Sequence, residues 1–429
     1  MLRQVVSNMK LPLVVILGAT GSGKTKLSID LAKKFGGEIL GADSIQIYKG
    51  MDIISAKPTV EERAEAPHHL VDILEPHETC TVLDYRNKAL KIIDHLFDQK
   101  KIPIIVGGTN YYIESLLWKI LVDDPNSKRK FEPGRSNKDY ELPSEELHKK
   151  LKDLDPKMAN RLHPNNKRKI IRSLEILEQK GMLHSEILNE QQKSEGGSAH
   201  GGGLRFSDVV IFWLQWDKPV LDERINSRVD AMMENGLVEE LLDFHREYNK
   251  RRLQDGSDPD YTRGIFQMIG LKEFHEYLLL DECQRDSDEG KLLLQKGLDS
   301  LKMVTRRYAR KQCRWINNRL LGDTGRTVPP VYGLTTDDLG KWQEDITDPA
   351  VGIIQSVIDG TECPCNPLRK ISTQSTPNSQ DETHFCEDCQ RVFVGQHQWK
   401  KHLHSGRHKR AKDRTQRLMR EKEEQSCAK

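Results

Sequence analysis

Gly18-Ala-Thr-Gly-Ser-Gly-Lys-Thr25 is a stretch whose residue types and spacing prescribe a chemistry, the binding of phosphate. Gly18, Gly21 and Gly23 let the backbone curl so that successive N–H groups, including those of Ala19, Thr20 and Ser22, point at phosphate oxygens. Lys24 adds a positive charge, and Thr25 offers a hydroxyl to Mg²⁺. The apolar run 11–17 leads into this loop and a helix-like segment, 26–35, follows it, which is the strand–loop–helix context the motif requires. A second apolar strand, 38–42, ends in Asp43. A carboxylate at a strand's end beside a phosphate crevice can hold a metal or take a proton; the plainer reading is a turn or helix cap. The third strand, 102–106, runs into Gly107-Gly-Thr-Asn-Tyr-Tyr-Ile113 with no terminal acid. The acid-ended strand of an ATPase is therefore missing there, which counts against simple nucleotide hydrolysis.

Beyond these strands the motifs fall into a recognisable series. Gly18–Thr25, Asp43–Ile53 with Lys57, Pro67–Asp72, Pro103–Ile113, Leu162–Ile170, Phe266–Glu273 and Thr305–Trp315 follow one another in the order seen in tRNA dimethylallyltransferases, also called tRNA isopentenyltransferases. The resemblance covers roughly residues 11–320 and implies a P-loop kinase-like α/β core with a parallel sheet. It also implies the reaction: a dimethylallyl group moves from dimethylallyl diphosphate to N6 of the adenosine immediately 3′ of the anticodon, position 37, and diphosphate leaves. On this reading Gly18–Thr25 bind the diphosphate, Mg²⁺ sits at Thr25, and Asp43 is the general base. The helix around Leu221–Val229 contributes an arginine, Arg224 before Arg228, although the four-residue spacing alone favours a solvated face paired with Asp222 or Glu223. Thr109 borders the adenine in the family, or is simply a turn hydroxyl. Asp43, Ser44, Ile45 and Gln46 line the adenosine's channel, Ser44 and Ile45 also being readable as structural. Gln46 could make a paired donor–acceptor contact with an adenine edge.

The RNA itself must be held by charge. The net charge is only +2, from 67 Lys and Arg against 65 Asp and Glu, so distribution matters more than the total. Between Leu301 and Leu320 lie Lys302, Arg306, Arg307, Arg310, Lys311, Arg314 and Arg319 with no acid, on what reads as a helix. Such a run suggests phosphate contacts, Arg306, Arg310 and Arg314 foremost, with Lys167, Arg168, Lys169 and Arg172 as a second patch. Charge runs are often just solvated faces.

A separate module closes the described motifs. Cys386-x2-Cys389-x12-His402-x5-His408 has the spacing of a structural zinc site, with Phe393 and Trp399 at the positions that fill a small ββα finger. The His spacing resembles matrin and U1-like fingers associated with RNA, and it suggests the eukaryotic form of the enzyme. Cys363 and Cys365 lack a second ligand pair and read as incidental thiols.

These readings divide the 429 residues into a first core segment (11–122), an inserted helical tRNA-binding lobe (143–203), a second core segment with the basic helix (204–320), an extension and polar linker (321–383), the finger (384–414) and a charged tail (415–429). The polar stretches 123–146, 187–207, 250–262 and 362–383 read as mobile insertions. Eight cysteines, two of them in the finger, fit a reducing compartment. No apolar run suggests a membrane span, and a monomer is expected. The leader 1–10 hints at a mitochondrial presequence, and the resemblance implies a division between mitochondrion and cytoplasm, with the nucleus a further place. Two other readings compete: a P-loop kinase, which would turn over ATP without tRNA, and an RNA-binding adaptor with a vestigial P-loop, which would tolerate loss of Lys24.

Overall fold

Six short runs pair into one parallel sheet in the computed structural model, which describes residues 11–119, 142–198, 201–249, 261, 263–322, 325–369, 383–389 and 391–414. The first part of the chain runs β1 (Leu13–Gly18), α1 (Lys24–Phe35), β2 (Glu38–Gly41), α2 (Val60–Glu65), β3 (His68–His69), α3 (Val82–Asp98), β4 (Pro103–Val106) and α4 (Asn110–Leu117). Four helices follow: α5 (Ser144–Leu154), α6 (Pro156–Arg161), α7 (Lys167–Lys180) and α8 (His184–Lys193). The chain then returns as β5 (Val209–Gln215), α9 (Lys218–Glu234), α10 (Leu237–Phe244), the long α11 (Asp288–Ile316), β6 (Val331–Thr335) and α12 (Asp348–Asp359). β7 (Thr383–Cys386), β8 (Arg391–Val394) and α13 (Gln396–Leu403) form the finger.

The sheet order is β3-β2-β4-β1-β5-β6, with registers such as Val14 opposite Ile104 and Val210. Strands covered on both faces must be apolar at every position, and every residue of β1 is buried. Alternation sends Leu13, Val15 and Leu17 into one core and Val14 and Ile16 into the other. Thr59 and Thr81 start α2 and α3 with reciprocal capping boxes, and Ser287 caps α11.

The described residues form two compact units, one from 11–119 and 203–369, the other from residues between 142 and 202 and between 383 and 414. The core therefore does not stop at 320, as the polar composition suggested. β6 pairs with β5, Ile211 opposite Val331, and α12 buries Ala350, Ile353 and Ile354 against the β1–β5 face. Both apolar runs are short, 331–335 and 349–358, and each is bordered by acids and followed or preceded by polar stretches, so the overall polar composition of 321–383 hides them. Helix α8 likewise covers part of the stretch read as a polar insertion. In the second unit, Leu147, Leu151, Met158, Ile170 and Leu174 form a small core of their own. The finger's hairpin belongs to that unit: Thr383 Oγ1 donates to the Asn160 carbonyl at 3.0 Å, and the His163 ring meets the Val392 carbonyl at 3.0 Å. The insertions at 123–141, 250–260 and 370–382, the leader and the tail lie outside the described residues.

Candidate active site

β1 delivers the chain at the carboxyl edge of the sheet, where the backbone must turn sharply. Gly21 and Gly23 take φ of 79° and 93°, left-handed values that favour glycine, and a Cβ at Gly23 would stand 2.5 Å from the Trp342 ring. Lys24 folds back so that Nζ donates to the Ala19 carbonyl at 2.7 Å. Loss of solvent around this half-buried ammonium, aided by Arg228, pulls its pKa down to about 8 against the opposing pull of Asp43. Thr20, Gly21, Gly23, Lys24 and Thr25 line a cavity of about 750 Å³. Gly18, Ala19 and Ser22 do not line it. They shape the loop from behind, Ala19 and Ser22 being buried.

Asp43 opens onto the same cavity. β2 is separated from β1 by β4, so the carboxylate has to cross the turn that follows β4. Two glycines make the crossing possible: a Cβ on Gly107 would fall 2.2 Å from the Ala42 carbonyl, and one on Gly108 would lie 3.3 Å from Asp43 Oδ2 and 2.4 Å from Gln312 Nε2. Asp43 Oδ1 accepts the Ile45 N–H at 2.9 Å, leaving Oδ2 as the oxygen toward the Gly108 turn. Thr109 Oγ1 accepts the Ser44 N–H at 3.0 Å and donates to Ser44 Oγ at 3.2 Å. Ser44, Ile45 and Thr109 are thus supports of the Asp43 loop and are not cavity wall. Gln46 does line the cavity, but its amide nitrogen donates to the carbonyls of Ser55 (3.0 Å) and Ala56 (2.9 Å). The paired adenine contact expected of it is corrected: its donor side is spent on its own loop, and only its oxygen is left to offer.

Both arginines of α9 border the cradle. Arg224 Nε donates to the Gly21 carbonyl at 3.0 Å, with its guanidinium 4.3 Å from the Trp216 ring centre. Arg228 Nη1 meets Thr20 Oγ1 at 3.3 Å, and burial lowers its pKa while Asp43 opposes the shift. The solvated-face alternative fails here, since Asp222 pairs with Arg310 instead, at 2.6 Å.

Sequence reading missed the inner face of α11. Gln312, buried, accepts the Thr20 N–H at 2.9 Å and donates to the Gly108 carbonyl at 3.0 Å, so one side chain ties the phosphate loop to the turn beside Asp43. Tyr308 OH donates to the same carbonyl at 3.2 Å, and burial raises its pKa. Their four-residue spacing was the available signal, hidden among the basic residues. The same helix corrects the count of free charges. Lys302 pairs with Asp230, Arg310 with Asp222, Arg319 with Glu114, and Arg306 donates to Asn226. Acids on other elements supply what the helix's own stretch lacks. Exposed Arg307, Lys311 and Arg314 form no ion pair among the described residues.

In the second unit Lys167, Arg168, Lys169 and Arg172 occupy the first turns of α7, with Arg172 3.4 Å from Glu175. Cys386, Cys389, His402 and His408 hold their ligand atoms within 4.8 Å of one another. His408 Nδ1 is 3.5 and 3.7 Å from the two sulfurs, close to the roughly 3.6 Å edge of a tetrahedron with zinc bond lengths. His402 Nε2 is buried without a hydrogen-bond partner. The donor set fits a closed tetrahedral metal site, packed beneath Phe393 and Trp399 (ring centres 5.9 Å apart). Cys363 and Cys365 join no such cluster among the described residues.

A parallel sheet with a glycine cradle, two arginines over it and a carboxylate across the neighbouring turn defines a P-loop enzyme with a site for a phosphorylated substrate. Residues 46–319 match the IPP transferase family, and residues 11–73 match the Isopentenyl transferase family. The chain is 47% identical over 403 residues to the tRNA dimethylallyltransferase of Homo sapiens, covering 93% of this chain and 85% of that one. It is 34% identical to that of Schizosaccharomyces pombe over 443 residues, covering 95% and 98%. A solved eukaryotic dimethylallyltransferase acting on tRNA matches with a TM-score of 0.80 at 28% identity, covering 97% of this chain and 100% of that one. The chain belongs to the tRNA dimethylallyltransferase family of isopentenyl-transferring enzymes.

Proposed function

We propose that this chain transfers the dimethylallyl group of dimethylallyl diphosphate to N6 of adenosine 37 in tRNA anticodon loops, using Asp43 as the base. The observation that carries this reading is a single cavity shared by the phosphate cradle, both arginines and Asp43. In the transfer the allylic C–O bond breaks, the N6–C bond forms, the bonding electrons leave with diphosphate, and the N6 proton passes to Asp43. N–H groups at the start of α1, Lys24, Arg224 and Arg228 stabilise the charge that builds on the leaving group, because these residues already line the cavity before the bond breaks. The target amine's lone pair is delocalised into the ring, so a base at the attacking side matters. The adenosine must leave the loop stack to reach this cavity.

Thr25 and Asp43 present to the cavity the hard oxygen donors that Mg²⁺ prefers. Bound there, Mg²⁺ would supply further charge neutralisation for the diphosphate. We assign structural zinc to Cys386, Cys389, His402 and His408, on the tetrahedral fit described above, and an accessory RNA grip to the finger. The division between mitochondrion and cytoplasm implied by the resemblance is checked by imaging the tagged full chain.

The deciding experiment gives purified enzyme Mg²⁺, labelled dimethylallyl diphosphate and an unmodified anticodon stem-loop, and scores labelled nucleosides. Asp43→Asn is expected to lose about 10²–10⁴-fold in single-turnover rate while both substrates still bind. Full turnover in that variant would remove Asp43 from the base role. ATP consumption without transfer would move the whole reading to a kinase.

A further inference from the structure

Helix α11 presents three distinct stripes where it passes the cavity. Lys302, Arg306 and Arg310 reach Asp230, Asn226 and Asp222 of α9. Tyr308 and Gln312 line the cavity and bond the Gly108 carbonyl, and Trp315 continues that stripe one turn further on. Arg307, Lys311 and Arg314 form the third stripe, exposed and without ion pairs among the described residues.

At the outer end of the cavity stripe, Trp315 meets Tyr111 edge-on, with ring centres 6.1 Å apart and planes at 71°. Tyr111 lies in the first turn of α4, three residues past Gly108, and its side chain is 61% exposed. Among the described residues of the first unit it is the only exposed Phe, Tyr or Trp, whereas its neighbour Tyr112 is buried against Tyr85. Trp315 stands only roughly 4.5 Å along the helix axis from Gln312 in the cavity wall. Lys311, one turn before Trp315 on the same side, and Arg314 flank this pair. An aromatic held by its edge, its remaining surface open to solvent, beside unpaired cations at the rim of a base-accepting cavity is a poor site for an acidic peptide. It fits an unpaired nucleobase whose own phosphates reach the cations.

The geometry points to Tyr111 as a stacking platform for a nucleotide adjacent in sequence to the adenosine that enters the cavity, with Lys311 and Arg314 taking the phosphates. This rests on the RNA-modifying reading above and deepens it. Extruding one base leaves its neighbours without a stacking partner, and an open aromatic at the rim would replace what they lose. Tyr111 touches no reacting atom and acts as a positioning and binding residue.

The test uses anticodon stem-loops carrying 2-aminopurine at each nucleotide flanking the target adenosine, with the full-length enzyme. Wild-type protein should quench the probe at one flanking position on binding. Tyr111→Ala should lose that quench and raise KM for RNA about tenfold, the order expected for one base stack, with single-turnover rate at saturation kept near wild type. Tyr111→Trp should restore both. An unchanged quench and KM in Tyr111→Ala would overturn the proposal, as would a loss that Tyr111→Trp does not rescue. The fluorescence is read with or without turnover, so failure of wild-type enzyme to transfer the prenyl group would overturn the functional reading while the quench still decides for Tyr111.

Discussion

Lys24 combines two demands that conflict. It must be charged to receive a diphosphate, yet its surroundings remove water and place Arg228 nearby, which holds its pKa near 8. Between about 8 and its ordinary value of 10.5 the folded chain has lost a proton that the unfolded chain keeps. This one group's contribution to stability therefore rises with pH across that window and is least favourable below it. Ligand binding has the opposite sense, because a diphosphate beside Nζ favours the ammonium. Titration calorimetry at about pH 9 in buffers of different ionisation enthalpy should show proton uptake on binding diphosphate, absent in Lys24→Met and absent near pH 6. No pH-dependent uptake would mean that the ammonium stays protonated in the empty cradle. At this scale, the sequence identified the groups better than their use. Lys24 and Asp43 were legible because a loop motif and a strand end dictate where they point. The commitment of Gln46 to the carbonyls of Ser55 and Ala56, nine and ten residues onward, was not, since that loop's path depends on tertiary contacts.

Helix α11 shows what an element's linear sequence conceals. Seven basic residues between Leu301 and Leu320, six of them on α11, looked uniform without an acid among them, but the three-dimensional partners divide them by face. A phosphate-contacting cation should leave a signature in salt dependence: neutralising it lowers the slope of log affinity against log salt by about 0.7–0.9 per contact, for all RNA sequences alike. Arg307→Gln, Lys311→Gln and Arg314→Gln should each show this in filter-binding across a salt series. Arg310→Gln should change the slope less, because its charge is already neutralised by Asp222. Equal slopes for Arg310 and Arg314 variants would mean that the Asp222 pair opens when RNA binds. The sheet was more legible than this helix. Doubly covered parallel strands are apolar throughout and announce themselves, whereas β6 alternates buried and exposed residues (Gly333 and Thr335 exposed) and passed for linker.

For the whole molecule, the two units pose different problems of stability. The first has two large apolar cores on either side of a sheet. The finger has little apolar surface, chiefly Phe393 and Trp399 with His402 stacked 3.9 Å from Phe393, too little for a segment of its size to fold alone. A tetrahedral metal at the proposed Cys386, Cys389, His402 and His408 site would supply the missing free energy, about 10–16 kcal/mol for structural zinc in isolated finger peptides. Two hydrogen bonds to the α6–α7 region also hold the hairpin, but each is worth only about 0.5–1.5 kcal/mol. Such a metal term would be far larger than these bonds. Chelation should therefore expose residues 383–414 to limited proteolysis and free the basic helical stretch 406–414, which contains the ligand His408. Diphosphate binding by the first unit should stay within about twofold of the untreated protein, because every group that lines the cradle belongs to that unit. RNA affinity should fall in the same sample if the finger is a grip. Continued protection of 383–414 after complete metal removal would assign the finger's fold to its contacts with Asn160 and His163, and His163→Ala would then be the variant that releases it.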